Sequence, residues 1–215
     1  MIKCCVLGLG YIGLPTSIML ARSGFMVNGV DIREEIIINL NNGIPNFKEP
    51  GIEKLLKEVI KNKVFTASLK PKESDVFIIA VPTPIYKNEN LIPEANIEYV
   101  IDAAKSLAKV IKPGNIIILE STSPVGTTEK VLKVISDVSG LDQNQYYFCY
   151  CPERVLPGNI FEELIHNNRI IGGINIESAE KAKNIYSTFC KGKIELTDSK
   201  TAELVKLTEN AFRDV

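Results

Sequence analysis

The chain has 215 residues, 45% hydrophobic and 24% charged, enough to bury a substantial core and typical of a soluble globular protein. Its 25 basic and 26 acidic residues leave a net charge of −1, which gives no reason to expect nucleic acid or an anionic membrane as partner. No apolar run reaches the ~18 residues a membrane helix needs, and Met1 leads straight into strand-like sequence with neither a basic leader nor a cleavage site. The five cysteines, odd in number and mostly in strand-like segments, fit a reducing, cytoplasmic setting.

Residues 2–7 read as a buried strand, and Gly8-Leu9-Gly10-Tyr11-Ile12-Gly13 follows at once. Residues 14–23 carry a helical pattern that stops at Gly24. Residues 25–30 form a second strand, closed by Asp31, 18 residues after Gly13. This is the layout of a dinucleotide-binding βαβ unit. Gly8 permits the tight turn, Gly10 lets the backbone approach a pyrophosphate, and Gly13 lets helix and strand pack closely. The anion sits at the helix N-terminus, where free N–H groups and the helix dipole favour negative charge. A carboxylate at Asp31 accepts both ribose hydroxyls and repels a 2′-phosphate, so NAD is expected rather than NADP.

Helices are predicted over 33–41 and 51–62, a short strand over 64–66, and a wholly apolar central strand over 76–81. A helix over 97–111, a buried strand over 116–119, a helix over 127–139 and a strand over 146–151 follow. Residues 169–171 are strand, 178–189 helix, 193–196 strand, and 200–215 a final helix. Strand and helix alternate almost throughout, which predicts an α/β, Rossmann-type, doubly wound and mainly parallel sheet. The functional loops then gather at the C-terminal edge of its strands. The expected division is a dinucleotide-binding domain over 1–198 and the start of a further helical element over 199–215.

Three loops carry candidate chemistry. Val81-Pro82-Thr83-Pro84 offers the Thr83 hydroxyl at the sheet edge, though taken alone it reads first as a rigid connecting turn. Residues 120–128, Glu-Ser-Thr-Ser-Pro-Val-Gly-Thr-Thr, suit cofactor or substrate contacts, with Thr122 among them, and equally suit helix capping. Cys151-Pro152-Glu153-Arg154 presents a possible general base and an anion-binding guanidinium, or merely a local surface ion pair. On the last helix Lys206, Asn210 and Arg213 share a face, beside an apolar stripe of Leu204, Leu207, Ala211 and Val215. Without context, such a polar face is a solvated one. Cys149-x-Cys151 lacks a second pair, so no metal site is expected. His166, the sole histidine, reads as a surface residue.

These stretches, together with Tyr-Cys-Pro-Glu-Arg-Val-Leu-Pro-Gly at 150–158, Asn-Arg-Ile-Ile-Gly-Gly at 168–173 and residues 201–215, resemble in order the nucleotide-sugar 6-dehydrogenase family. The Cys-Pro-Glu-Arg-Val-Leu-Pro-Gly form, with the Asn-Arg and Arg-Asp-Val segments, is similar to its UDP-N-acetylmannosamine branch. The resemblance implies oxidation of a sugar C6 alcohol to a carboxylate by two hydride transfers to NAD, through a cysteine thioester. It implies cofactor contacts from Gly8, Gly10, Tyr11, Ile12, Gly13, Asp31, Arg33, Thr83 and Thr122. It implies UDP-sugar contacts from Arg154, Val155, Lys206, Asn210 and Arg213, and catalytic roles for Lys206, Asn210 and Glu153. The final helix resembles the start of the family's long central helix, which joins two domains and forms a homodimer.

The family's nucleophilic cysteine lies well beyond its catalytic lysine, and none of the five cysteines here has its context. Cys151 alone is placed at the sheet edge. The chain therefore reads as an N-terminal, cofactor-binding half, through truncation or a split gene, inactive alone in the four-electron oxidation. UDP-glucose and UDP-N-acetylglucosamine remain alternative substrates, and a non-catalytic NAD-sensing module is the rival from another class. A 3-hydroxyacid or acyl-CoA dehydrogenase would share the first 31 residues but not 150–158 or 201–215.

Overall fold

Four apolar residues make β4 (Val76–Ile79), and all four are buried, as a strand with partners on both edges and helices over both faces requires. The computed structural model describes residues 1–87 and 93–214. β4 pairs in parallel with β1 (Lys3–Leu7) on one side and β7 (Ile116–Leu119) on the other. β2 (Met26–Val30) and β3 (Phe65–Ser68) extend the sheet past β1. β8 (Tyr147–Tyr150), β9 (Arg169–Gly173) and β10 (Ile194–Asp198) extend it past β7. The order is β3-β2-β1-β4-β7-β8-β9-β10, and each of these pairs is parallel except β8 with β9. This is the mainly parallel, doubly wound Rossmann-type sheet expected from the alternation of strand and helix.

The pleat sorts side chains between two cores. Cys4, Val6, Ile78, Ile118 and Cys149 face one side, with α1 (Gly13–Arg22), α3 (Ile52–Lys61), α6 (Ile160–His166) and α7 (Ile176–Tyr186). Cys5, Leu7, Phe77, Ile79, Ile117 and Leu119 face the other, under α4 (Glu98–Leu107) and α5 (Thr127–Ser139). Each such residue, fully buried, contributes roughly 1.5–3 kcal/mol, an upper estimate because unfolded chains are partly collapsed. The chain reverses direction across the sheet between β1 and β4, which opens a crevice at the ends of those strands.

α2 (Glu34–Asn41) and α8 (Ser199–Asp214) complete the helices. Three features depart from the sequence reading. α6 is a helix where no element was predicted, with Ile160 and Leu164 buried on its inner side. Two short strands not predicted, β5 (Ile85–Lys87) and β6 (Pro93–Ala95), pair antiparallel and stand apart from the main sheet. α4 ends at Leu107 instead of Ile111, its last turn loosening ahead of Pro113. Among the described residues no helix is long and apolar enough to cross a membrane. Val215, the last member of the anticipated apolar stripe, lies outside the described residues.

Candidate functional site

The glycine turn after β1 is shaped by contacts no side chain could share. Gly8 holds φ +95°, and a Cβ there would lie 2.5 Å from the Ala80 carbonyl oxygen. A Cβ on Gly13 would lie 1.8 Å from the Gly8 carbonyl oxygen. Gly10 differs: a Cβ there would meet nothing within 4 Å. The turn is thus tight underneath and open outward, the geometry a pyrophosphate needs to reach the N-terminus of α1. No side chain of the N-cap residue caps that helix.

A crevice runs outward from this turn. Gly8, Gly10, Tyr11 and Ile12 line it together with Asp31 and Arg33 at one end. Thr83, Thr122 and Glu153 line it at the other. The anticipated cofactor residues are therefore brought into one cleft, with Gly13 packed beneath it. The Tyr11 ring stacks on Phe47, centroids 4.2 Å apart, and Asn46 Nδ2 donates to the Leu9 carbonyl at 2.8 Å, so residues 46–47 brace the turn from outside.

Asp31 is 7% exposed and accepts the Leu9 N–H at 3.3 Å. Arg33 donates to it through Nε at 3.1 Å, Nη2 at 3.3 Å and the backbone N–H at 3.1 Å. Burial pushes the Asp31 carboxyl up, but these Arg33 and Leu9 hydrogen bonds outweigh it and hold the group below the usual carboxylate range. The Arg33 side chain is 61% exposed, so solvent screens its side of this ion pair. An anionic carboxylate here fits NAD and disfavours a 2′-phosphate.

The lips of the cleft are stitched together. Thr83 Oγ1 donates to the Thr122 carbonyl at 2.7 Å, and Ser121 Oγ donates to the Val81 carbonyl at 2.7 Å. Thr83 is thus both the rigid-turn residue and a cleft wall, its proton already committed.

Glu153 and Arg154 are not paired with one another, so the reading of a local surface pair is corrected. Arg154 binds Glu209 on α8, with Nη2 to Oε1 at 2.7 Å. Glu153 binds Lys206: Lys206 Nζ donates to the Glu153 carbonyl at 2.7 Å and lies 3.2 Å from its Oε1. Lys206 is 2% exposed, so it belongs to no solvated face. The same helix face does carry Asn210 and Arg213, but farther out, where Arg213 Nη2 donates to Asn210 Oδ1. The Val155 N–H donates to Glu153 Oε2 at 2.9 Å, fixing that carboxylate from below. Leu204 and Phe212 are 57% and 86% exposed, leaving much of the apolar surface of α8 bare.

Cys151 does not view the cleft. It is fully buried, Arg169 Nη1 donates to its Sγ at 3.8 Å, and burial pushes its thiol up to about 12. Such a thiol is inert at neutral pH.

Two buried carboxylates, Glu49 and Glu203, escaped the sequence reading, and a third, Glu120, was met only as the first residue of the loop over 120–128. Glu120 ends β7 beneath the cleft and accepts Tyr186 OH at 2.6 Å and Thr16 Oγ1 at 3.3 Å, tying α1 to α7. Burial pushes its carboxyl up, against the pull of Arg169, whose guanidinium stacks on the Tyr186 ring at 4.5 Å. Glu49 accepts the Gly158 and Ile160 N–H groups at 2.8 and 2.9 Å, pinning the loop after Glu153. Glu203 on α8 closes the N-terminus of α5. An acid ending an all-apolar strand was the one available signal, and it marked Glu120 alone. Among the described residues no group of three or more His, Cys, Asp or Glu side chains could hold a metal ion.

The sequence matches the model of the UDP-glucose/GDP-mannose dehydrogenase family NAD binding domain over residues 2–190. It is 47% identical over 213 residues to the UDP-N-acetyl-D-mannosamine dehydrogenase of Methanococcus maripaludis, covering 99% of this chain and 48% of that protein. Against the Campylobacter jejuni enzyme of the same name identity is 46%, covering 99% of this chain and 54% of the relative. The solved UDP-D-ManNAc dehydrogenase of Pyrococcus horikoshii superposes with a TM-score of 0.93 at 44% identity, covering 99% of this chain and 50% of that one. The chain thus spans about half the length of the curated relatives it matches. A glycine turn open on its outer side, a buried acid at the end of the next strand and a match over 2–190 lead to one conclusion: the chain belongs to the UDP-glucose/GDP-mannose dehydrogenase family, as its NAD binding domain.

Proposed function

We propose that the chain is the NAD-binding half of a UDP-N-acetyl-D-mannosamine 6-dehydrogenase, in which residues 1–198 bind the cofactor and 199–215 begin a connecting and dimerising helix. The whole enzyme oxidises the sugar C6 alcohol to a carboxylate, giving UDP-N-acetyl-D-mannosaminuronate for surface polysaccharide or glycan synthesis in the cytoplasm. The observation that carries the reading is Lys206. It is a buried amine on a helix otherwise largely exposed, delivered to Glu153 at the end of the cofactor cleft. The identity to relatives named for this activity supports the choice of sugar. The five buried free cysteines support a reducing compartment.

Bound NAD supplies the hydride acceptor. This chain supplies the rest of one wall. Lys206, with Asn210 one turn on, clamps the oxygen at C6 as its negative charge develops. Glu153, oriented by the Val155 N–H, is the base that activates water for thioester hydrolysis. Arg154, Val155 and Arg213 form the substrate-facing side, and the thioester cysteine comes from outside these residues. Exposed Leu204 and Phe212 support a helix that continues against further chain and a second copy.

The test joins these residues to the C-terminal half of the Pyrococcus horikoshii relative and follows NADH formation from three sugars. Turnover with UDP-N-acetylmannosamine, and none by the 215-residue chain alone, is expected. Preference for UDP-glucose or UDP-N-acetylglucosamine would reassign the substrate. Absence of turnover with all three, alongside intact NAD binding, would favour a sensing module.

A further inference from the structure

α8 packs its first turns on the end of β9 and leaves the rest of its length open, yet its lysine sits in a defined place. Ser199, Ala202, Glu203 and Lys206 are buried, at 7%, 0%, 0% and 2% exposure, and they share the inner face of its first turns. Leu204 and Val205 beside them are exposed at 57% and 40%. Ala202 offers a methyl group only. More exposed ion pairs also reach α8, Lys200 with Glu129 and Glu209 with Arg154, but its buried carboxylate fastening is Glu203.

Glu203 spends both carboxylate oxygens on the start of α5. Oε2 accepts the Gly126 N–H at 2.6 Å, and Oε1 accepts the Thr128 N–H at 2.7 Å and the Thr128 hydroxyl at 2.6 Å. The first N–H groups of a helix have no partner within it, and a carboxylate there gains both hydrogen bonds and the favourable end of the helix dipole. Bonds of this kind to an ionised group are about twice as strong as neutral ones. Gly126 belongs to the same loop as Ser121 and Thr122, which form one lip of the cofactor cleft. One turn further along α8, Lys206 meets Glu153, which lines that cleft too.

We infer that Glu203 is a positioning residue for Lys206: by locking α8 onto the loop that bears Thr122, it fixes the amine at Glu153 and ties lysine and cofactor lip into one frame. This deepens the reading of Lys206 as the oxyanion clamp and rests on it only for its consequence in catalysis. The placement itself is tested on the chain as it stands, with no sugar and no turnover.

The experiment is trace acetylation of the native chain with acetic anhydride, read residue by residue by peptide mass spectrometry over a range of pH. Exposed Lys105 and Lys133 serve as internal standards and iodoacetamide reports on the buried Cys151 thiol. With Glu203→Gln, Lys206 acetylation is expected to rise about tenfold or more relative to the standards, because the charge is lost and the amide nitrogen that replaces one oxygen cannot accept the Gly126 N–H. Cys151 stays unlabelled. Restoration of the slow rate by Glu203→Asp, which keeps the charge, is a further expected result. An unchanged Lys206 rate overturns the proposal. So does a rise matched by Cys151, which would mean general loosening of the fold. Should Glu203→Gln not fold, Thr128→Val removes one of the three bonds, and a rise of about threefold is then expected, none being contradictory. If Lys206 responds as stated while the joined enzyme oxidises no UDP-sugar, the placement stands and the functional reading falls.

Discussion

Two helices begin at the same edge of the sheet, α1 and α5, and each presents unpartnered N–H groups and the positive end of a dipole. Local physics is alike at the two ends, but their occupants are not. The start of α5 is taken by Glu203, carried in from 77 residues away, whose carboxylate accepts the Gly126 and Thr128 N–H groups. At α1 the Gly10 position opens onto space free to 4 Å, and Asp31 waits at the end of the next strand. A helix N-terminus therefore does not identify an anion site; what already occupies it decides. The loop over 120–128, read as equally suited to ligand contacts or to capping, is divided between the two. Its first part lines the cleft and its last part is capped from α8.

That contrast can be broken most severely at Gly13. Gly13→Ala places a methyl group against the Gly8 carbonyl and should cost about 3 kcal/mol, lowering Tm by roughly 10 °C. Calorimetric melting checks it, and an unchanged Tm would show the turn to be less tight than described. Asp31→Ala acts on the open site alone. It removes the acceptor for the ribose and should weaken NAD binding by about 10- to 100-fold, as loss of a hydrogen bond to a charged group does. It should also narrow the preference over NADP, since the repelling charge is gone. Equal loss for both dinucleotides would contradict the role given to the carboxylate.

The smallest effect is in pH. Because the Asp31 pKa is lowered in the folded chain, the stabilisation from its Arg33 and Leu9 bonds is complete above the ordinary carboxylate pKa. It is lost only as pH falls through the lower folded value. NAD affinity should then be flat from about pH 8 to about pH 5 and decline below about pH 4. Titrations across that range read it directly, and a decline centred near pH 6 would point to another group.

The sheet was legible because its strands are short, wholly apolar and set between glycine or proline punctuation, as in residues 76–79 and 116–119. The glycine turn and Asp31 were legible because backbone freedom and charge fall at fixed spacing. The antiparallel β9 was not, since strand direction depends on where α6 returns the chain, and seven residues with two buried apolar positions give little periodicity. The strand pair of Ile85–Lys87 and Pro93–Ala95 is exposed, so no hydrophobic pattern marks it. Glu49, Glu120 and Glu203 were hidden for another reason. An acid reads as surface unless its partners are known, and theirs lie 109, 66 and 77 residues away. Lys206 became visible through the family resemblance, not through its helical spacing.

The account rests on the start of α1 being the place where the cofactor's phosphates bind. Titration calorimetry of NAD into the native chain and into Gly10→Ala, side by side with their melting curves, tests this most directly. The prediction is one NAD per native chain, binding weakened about 100-fold in Gly10→Ala, and Tm values within about 2 °C, because the added methyl group meets nothing but the ligand. Gly10→Ala binding NAD as tightly as the native chain, or a native chain that binds none, would contradict it.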